Sequence, residues 1–68
     1  MSIAKVIEIS STSTQSFDDA VKQGVMRAGE TVRNIRSAWI KEMRVNVENN
    51  KITHYQVNLQ VTFVLEGQ

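Results

Sequence analysis

Few residues in this chain can do chemistry, and most of those that can are amides. There is no Cys, only a single His (His54), and no Gly-rich phosphate loop. No nucleophile–base pair is visible either, so enzymatic catalysis is not expected. The acidic residues Glu8, Asp18, Asp19, Glu30, Glu42, Glu48 and Glu66 lack the loop spacing of an EF-hand, so a calcium site would need oxygens converging from different subunits. What remains is a series of polar side chains at alternate positions, His54, Gln56, Asn58, Gln60 and Thr62, preceded by Trp39 and Arg44. Amides, a guanidinium and an indole supply hydrogen bonds and a flat apolar face, which is the chemistry of binding.

These residues need a strand to align them. In Lys51 to Glu66 the large apolar residues Tyr55, Val57, Leu59, Val61, Phe63 and Leu65 alternate with the polar series. Side chains on a strand alternate faces, so this segment is a long strand with one apolar and one amide-rich face. The apolar face needs a cover from the same chain.

That cover lies earlier in the sequence. Residues 3–9 are rich in Ile and Val and predict a first strand, and the hydroxyl-rich residues 10–16 predict a turn. Ser16 and Asp19 have the spacing of a capping box, and Asp18 and Asp19 suit the positive end of a helix. A helix is expected from Phe17 to about Ile35. Its apolar stripe is Phe17, Ala20, Val21, Gly24, Val25, Ala28, Val32 and Ile35. Gly24 and Ala28 would allow a close approach to a sheet, and Arg33 and Arg36 suit the C-terminal end.

A second strand is expected from about Ser37 to Val47, with a tight hairpin turn at Asn49-Asn50. In a regular hairpin Met43 lies opposite Gln56, Trp39 opposite Gln60, and Ser37 opposite Thr62. Trp39, Met43, Val45 and Val47 then share the face away from the helix. That phase turns Glu42 and Arg44 inward, and a bulge near residues 42–44 would bring Arg44 out again.

The expected fold class is α+β, in the order β-α-β-β: one domain over residues 1–68, an antiparallel three-stranded sheet with one helix packed on one face. A chain of 68 residues without disulfides is near the lower limit for independent stability. Its other sheet face would expose Trp39, Met43, Val45, Val47 and Ile52, so self-association is expected. Eight basic and seven acidic residues leave a net charge of +1, too weak a field to draw nucleic acid or anionic lipid. With no long apolar run and no basic-then-apolar leader, neither a nucleic-acid nor a membrane partner is expected, and the expected location is cytoplasmic.

Several segments in order resemble the dodecin family of small flavin-binding proteins. They are KVIEI at residues 5–9, STS-x-x-SF at 11–17, and R-A-x-x-T-V-R at 27–33. KEMR at 41–44 and Y-Q-V-x-L-x-V-x-F-x-L-E at 55–66 complete the series, so the resemblance covers nearly the whole chain. It implies a hollow homododecamer with flavin, FMN or riboflavin, held at contacts between subunits. In flavin-binding members a Trp early in the second strand stacks on the isoalloxazine ring; that position is Ser37 here. Trp39 follows it on the same face, about 7 Å further along.

The Gln of Y-Q-V, which in the family addresses the pyrimidine edge of the flavin, is Gln56, and an Arg common near the flavin in bacterial members is Arg44. A second bacterial Arg, in F-R-L-E, is Val64 here. Rings held between Trp side chains have their excited states quenched by electron transfer, so the family is read as storing and protecting flavin. The segment NIRSAWI at residues 34–40 instead resembles members that lack the stacking Trp, some of them associated with calcium. The alternative expectation is therefore an assembly without flavin, in a structural or calcium-linked role. Trp39 is then interface packing, Gln56 an amide bonded at a subunit contact, and Arg44 half of an inter-subunit salt bridge.

Overall fold

The computed structural model describes residues 3–65. The alternating segment becomes the middle of the sheet, because a strand with a buried face and paired edges is best placed centrally. Lys51–Val64 (β3) lies between Ala4–Ser13 (β1) and Ile35–Glu48 (β2), both antiparallel to it, and the helix Phe17–Ala28 (α1) packs across one face. Val57, Leu59 and Val61 of β3 are completely buried under Ala20 of the helix. Ile7, Ile9, Phe17, Val21, Val25 and Ile35 pack around them. At the start of α1 the ring of Phe17 meets that of Tyr55 edge-on, with centroids 5.2 Å apart.

The helix comes close because it carries almost no side chain where it touches the sheet. A Cβ on Gly24 would stand 3.0 Å from Ser11 Cβ and 3.1 Å from Leu59 Cδ1, both tighter than van der Waals contact. Its N-terminus is capped as the sequence predicts: Ser16 Oγ accepts from the Asp19 amide at 3.0 Å, with Asp18 and Asp19 in the first turn. The return half of the capping box is rearranged. Buried Ser13 donates its hydroxyl to Asp19 Oδ2 at 2.6 Å and accepts from the Gln15 amide at 2.9 Å, so Asp19 anchors β1 to the helix start.

Three boundaries differ from expectation. The helix ends at Ala28, not near Ile35, so Val32 and Ile35 are not on its stripe and Arg33 and Arg36 lie beyond its end. Gly29 and the β-branched Thr31 and Val32 are poor helix formers. The Thr31 and Val32 amides fold back onto the Ala28 carbonyl, and Asn34 at φ 63° turns the chain into β2. Ile35 is then taken by β2, opposite Phe63. β1 also runs on through the hydroxyl residues to Ser13, because β3 is long enough to pair Ser10, Ser11 and Thr12 with Asn58, Val57 and Gln56. β3 itself ends at Val64; Glu66, expected within it, lies outside the described residues.

A helix of 12 residues is about 18 Å long, whereas a strand of 14 residues runs to about 46 Å. α1 packs on β1 and β3 and leaves β2 as an exposed outer arm. The molecule is accordingly elongated, 51 × 19 × 14 Å.

The β2–β3 register settles which β2 side chains face which way. Ser37 opposite Thr62 and Trp39 opposite Gln60 agree with the sequence reading. Between Ile40 and Glu42 the register shifts by a residue, so Lys41 is extra and Glu42, Met43 and Arg44 face Asn58, Val57 and Gln56. The expected bulge therefore brings Arg44 to the amide face. It also corrects the placement of Met43, which lies opposite Val57 and not Gln56. Met43 and Val45 belong to the helix side of the sheet, past the reach of the helix, and stay exposed there. Val47 pairs with Ile52 beyond another shift, next to the turn at Asn49 and Asn50, both at positive φ.

Candidate functional site

The face turned away from α1 is built by the alternate residues of all three strands. β3 supplies Gln56, Asn58, Gln60 and Thr62; β1 supplies Glu8, Ser10 and Thr12; β2 supplies Ser37, Trp39, Glu42 and Arg44. Among the described residues no element covers it. Polar groups on an uncovered sheet face can stay ordered only by binding one another, and here they do so across strands. Gln56 Nε2 donates to Ser10 Oγ at 2.9 Å, and Asn58 Nδ2 donates to Glu42 Oε1 at 2.8 Å. Lys41, freed by the bulge, reaches over β3 so that its Nζ lies 3.5 Å from Glu8 Oε1.

The two amides are thus held in opposite senses. Gln56 sends its nitrogen toward β1 and Asn58 sends its nitrogen toward β2. Between them and the β2 strand is a concavity of about 200 Å³, lined by Glu42, Met43, Arg44, Gln56 and Asn58. It offers a guanidinium, a carboxylate and amides at one place. A larger hollow of about 540 Å³ lies between the C-terminal half of α1 and the outer edge of β1, beside Ser11, Gly24, Arg27 and Thr31, and holds none of the expected site residues.

Of those residues, Arg44 and Gln56 are brought together as cross-strand partners at the concavity. Trp39 and Ser37 share their face but not their location. Trp39 pairs with Gln60, four positions along β3 from Gln56, a separation of about 13 Å. Its side chain is 66% exposed, so one protomer presents the indole and the Arg44–Gln56 pair as separate features. Ser37, opposite Thr62 and exposed, offers no stacking surface. His54 is exposed beside Thr53. Among the described residues no group of three or more His, Cys, Asp or Glu side chains comes together in a manner suited to a metal ion.

Sequence reasoning missed Ser10, Glu42 and Lys41 as members of this face. Ser10 was recoverable: Glu8, Ser10 and Thr12 continue the outward phase of the first strand once the hydroxyl run is read as strand. Glu42 was not, because its side depends on the exact position of the bulge.

The dodecin family model matches residues 3–66. The chain is a member of the dodecin family. It is 41% identical over 64 residues to a protein named calcium dodecin from Mycobacterium tuberculosis, covering 93% of this chain and 89% of that one. Its fold superposes on dodecin from Streptomyces coelicolor with a TM-score of 0.92 at 31% identity, over 98% of this chain and 96% of that one. It also superposes on the crystal structure of calcium dodecin from Mycobacterium tuberculosis, a calcium chelating immunodominant antigen with a novel calcium-binding site. That match has a TM-score of 0.82 at 34% identity, over 97% and 94% of the two chains. The β-α-β-β layout with a central β3 is thus the dodecin fold. Dodecins are small binding proteins that assemble as dodecamers, and some bind flavin. In this dodecin a sheet covered on only one side has the form that such assembly would complete.

Proposed function

We propose that this dodecin is a non-enzymatic flavin-binding protein, a homododecamer that stores or sequesters FMN or riboflavin at contacts between its subunits. The observation that supports the reading is the Arg44–Gln56 pair at the concavity on the uncovered sheet face. The pyrimidine edge of an isoalloxazine carries carbonyl oxygens on either side of an N–H. Arg44 donates to such oxygens, and Gln56 has an acceptor for the N–H. Ser37 supplies no aromatic face, so the stacking partner in this reading is Trp39. Because Trp39 stands about 13 Å from Gln56 along its own sheet, the indole over a given ring comes from a neighbouring subunit.

A flavin titration tests this. Riboflavin added to purified protein at micromolar concentration should lose its fluorescence with a stoichiometric end point, and gel filtration should carry yellow colour with the protein. Unquenched riboflavin and colourless protein would sink the reading. The reading places the protein in the cytoplasm without nucleic-acid or membrane partners. It is supported by the net charge of +1 and by the lack, among the described residues, of a helix long and apolar enough to cross a membrane.

A second reading has its own observations in favour: Ser37 at the stacking position and 41% identity to a calcium dodecin. In it the assembly holds no flavin and has a structural or calcium-linked role. No protomer gathers three acidic or imidazole ligands among its described residues, so the cation would be held by oxygens from several subunits. Thermal stabilisation by calcium but not magnesium, in protein that leaves riboflavin fluorescence unchanged, would select this reading.

A further inference from the structure

We infer that the hollow between α1 and the outer edge of β1 seats β2 of a second copy of this chain. That β2 lies along β1 as an added strand and turns its Met43 and Val45 toward Gly24 and Ala28. The inference concerns how copies meet and does not depend on flavin. Two surfaces of the chain are left incomplete, both on the helix side of the sheet. One is the hollow of about 540 Å³, floored by Ile9, Gly24 and Ala28. The other is the exposed strip of Ile40, Met43, Val45 and Val47 on β2. Val47 belongs to the strip because the residue skipped at the neighbouring shift is Thr53 of β3, so alternation along β2 continues.

The hollow suits an extended strand. β1 pairs with β3 alone, so its outer N–H and C=O groups have no strand partner among the described residues. Its register runs from Ala4 to Ser13 without a bulge, and Ile9 to Ser13 carry no charge, so nothing there discourages a further strand. The helix leaves room beside it, since Gly24 and Ala28 have little or no side chain. Among the described residues the one other free edge is that of β2, where Glu42 to Asn46 keep a single register. Met43 and Val45 point the same way from that stretch, as two side chains entering one hollow must. β1 and β2 flank β3 on opposite sides, so a chain cannot lay its own strip in its own hollow.

The exposed area agrees with a missing partner. The chain exposes 5164 Å². A compact protein of 68 residues exposes about 4300 Å². The surplus of roughly 800 Å² is what one partner hides in a standard interface. The contact is head-to-tail, with β2 of one copy in the hollow of the next. Such contacts close into rings or run on as filaments, and the dodecamers of the family require closure.

Cross-linking tests the contact. The chain has no Cys, so introduced thiols report without background. Gln23 borders the hollow, Val45 lies on the strip, and both are exposed. Full-length protein carrying Gln23→Cys and Val45→Cys is treated with a short bismaleimide and run on a denaturing gel, once its sedimentation matches wild type. If it does not match, Thr31→Cys, also at the hollow, replaces Gln23→Cys. The expected result is a ladder of dimers, trimers and larger species, with each single variant left unlinked. Dimers from Val45→Cys alone would mean that strip meets strip and would overturn the inference. An unlinked double variant would overturn it too, and would leave the hollow to a small molecule or to another polypeptide. No flavin enters the measurement, so failure of the flavin reading leaves this result standing.

Discussion

Arg44 faces Gln56 because two register shifts enclose it, one at the extra residue Lys41 of β2 and one between Asn46 and Val47. Counting back regularly from Ile40 opposite Leu59 would put Arg44 opposite Tyr55, on the helix side of the sheet. The two shifts together move a guanidinium and the Glu42 carboxylate onto the polar face and take Met43 and Val45 off it. Glu42 and Lys41 then tie β2 to Asn58 and Glu8 across the same surface. The Lys41–Glu8 pair is close to half exposed, so its worth lies in placing Lys41 more than in stability.

Removing the Gln56 amide should weaken riboflavin binding without unfolding the sheet. Gln56 is on the uncovered face, and Gln56→Ala leaves only an exposed serine hydroxyl unpartnered. A loss of about tenfold in affinity is expected, read by fluorescence titration, with little change in thermal midpoint. Equal affinity in the variant would remove Gln56 from the site.

Restoring an aromatic ring at Ser37 should have the opposite effect. Ser37 is exposed opposite Thr62, with room for a larger side chain on the same face as Trp39. Ser37→Trp is expected to tighten riboflavin binding by about tenfold or more, as stacking of a flat ring on an indole is worth roughly 1–3 kcal/mol. Unimproved binding would mean that the ligand does not lie over this part of β2.

The apolar strip of β2 beyond the helix is expected to matter for assembly. Ile40, Met43 and Val45 are exposed on the helix side, and no described element of the chain covers them. Burying a charge there between subunits would cost several kcal/mol. Met43→Asp should therefore shift the sedimentation profile at dilute concentration toward smaller species. An unchanged profile would place the strip outside the subunit contacts.

Helix docking makes a separate prediction about Gly24. An alanine there gains about 1 kcal/mol of helix propensity. It also forces a methyl to within 3.0 Å of Ser11 Cβ, an atom attached directly to the backbone of β1. Overpacking of this kind costs typically 1–3 kcal/mol, so Gly24→Ala is expected to lower stability, by about 1 kcal/mol net. Thermal unfolding at matched protein concentration checks the sign; a rise in midpoint would show that β1 yields.

The helix start can be probed through Ser13. This buried hydroxyl serves Asp19, while Ser16 serves only the Asp19 amide. Ser16→Ala should cost about 1 kcal/mol as an ordinary cap loss. Ser13→Ala should cost more, about 2 kcal/mol, since it leaves a part-buried carboxylate and the Gln15 amide without their partner. Chemical denaturation of both variants ranks them, and a smaller loss for Ser13→Ala would contradict the assignment.

Local chemistry made much of this protein legible from its sequence. The alternation through Tyr55–Phe63 identified the strand, its buried face and its amide face, because side-chain direction in a strand depends on nothing outside it. Ser16 and Asp19 marked the helix start for the same reason: a cap is satisfied within a few residues. Trp39 and Ser37 pair as a regular hairpin would place them because the shift between Asn46 and Val47 is undone at Lys41. Only the tertiary structure decided where α1 stops, how far β1 runs, and on which side Glu42, Met43 and Arg44 lie. Residues 29–35 and 10–13 suit more than one local conformation, and the choice fell to whichever backbone groups β3 could pair. The bulge at Lys41 depends on the fit between two strands, a property that neither strand contains alone.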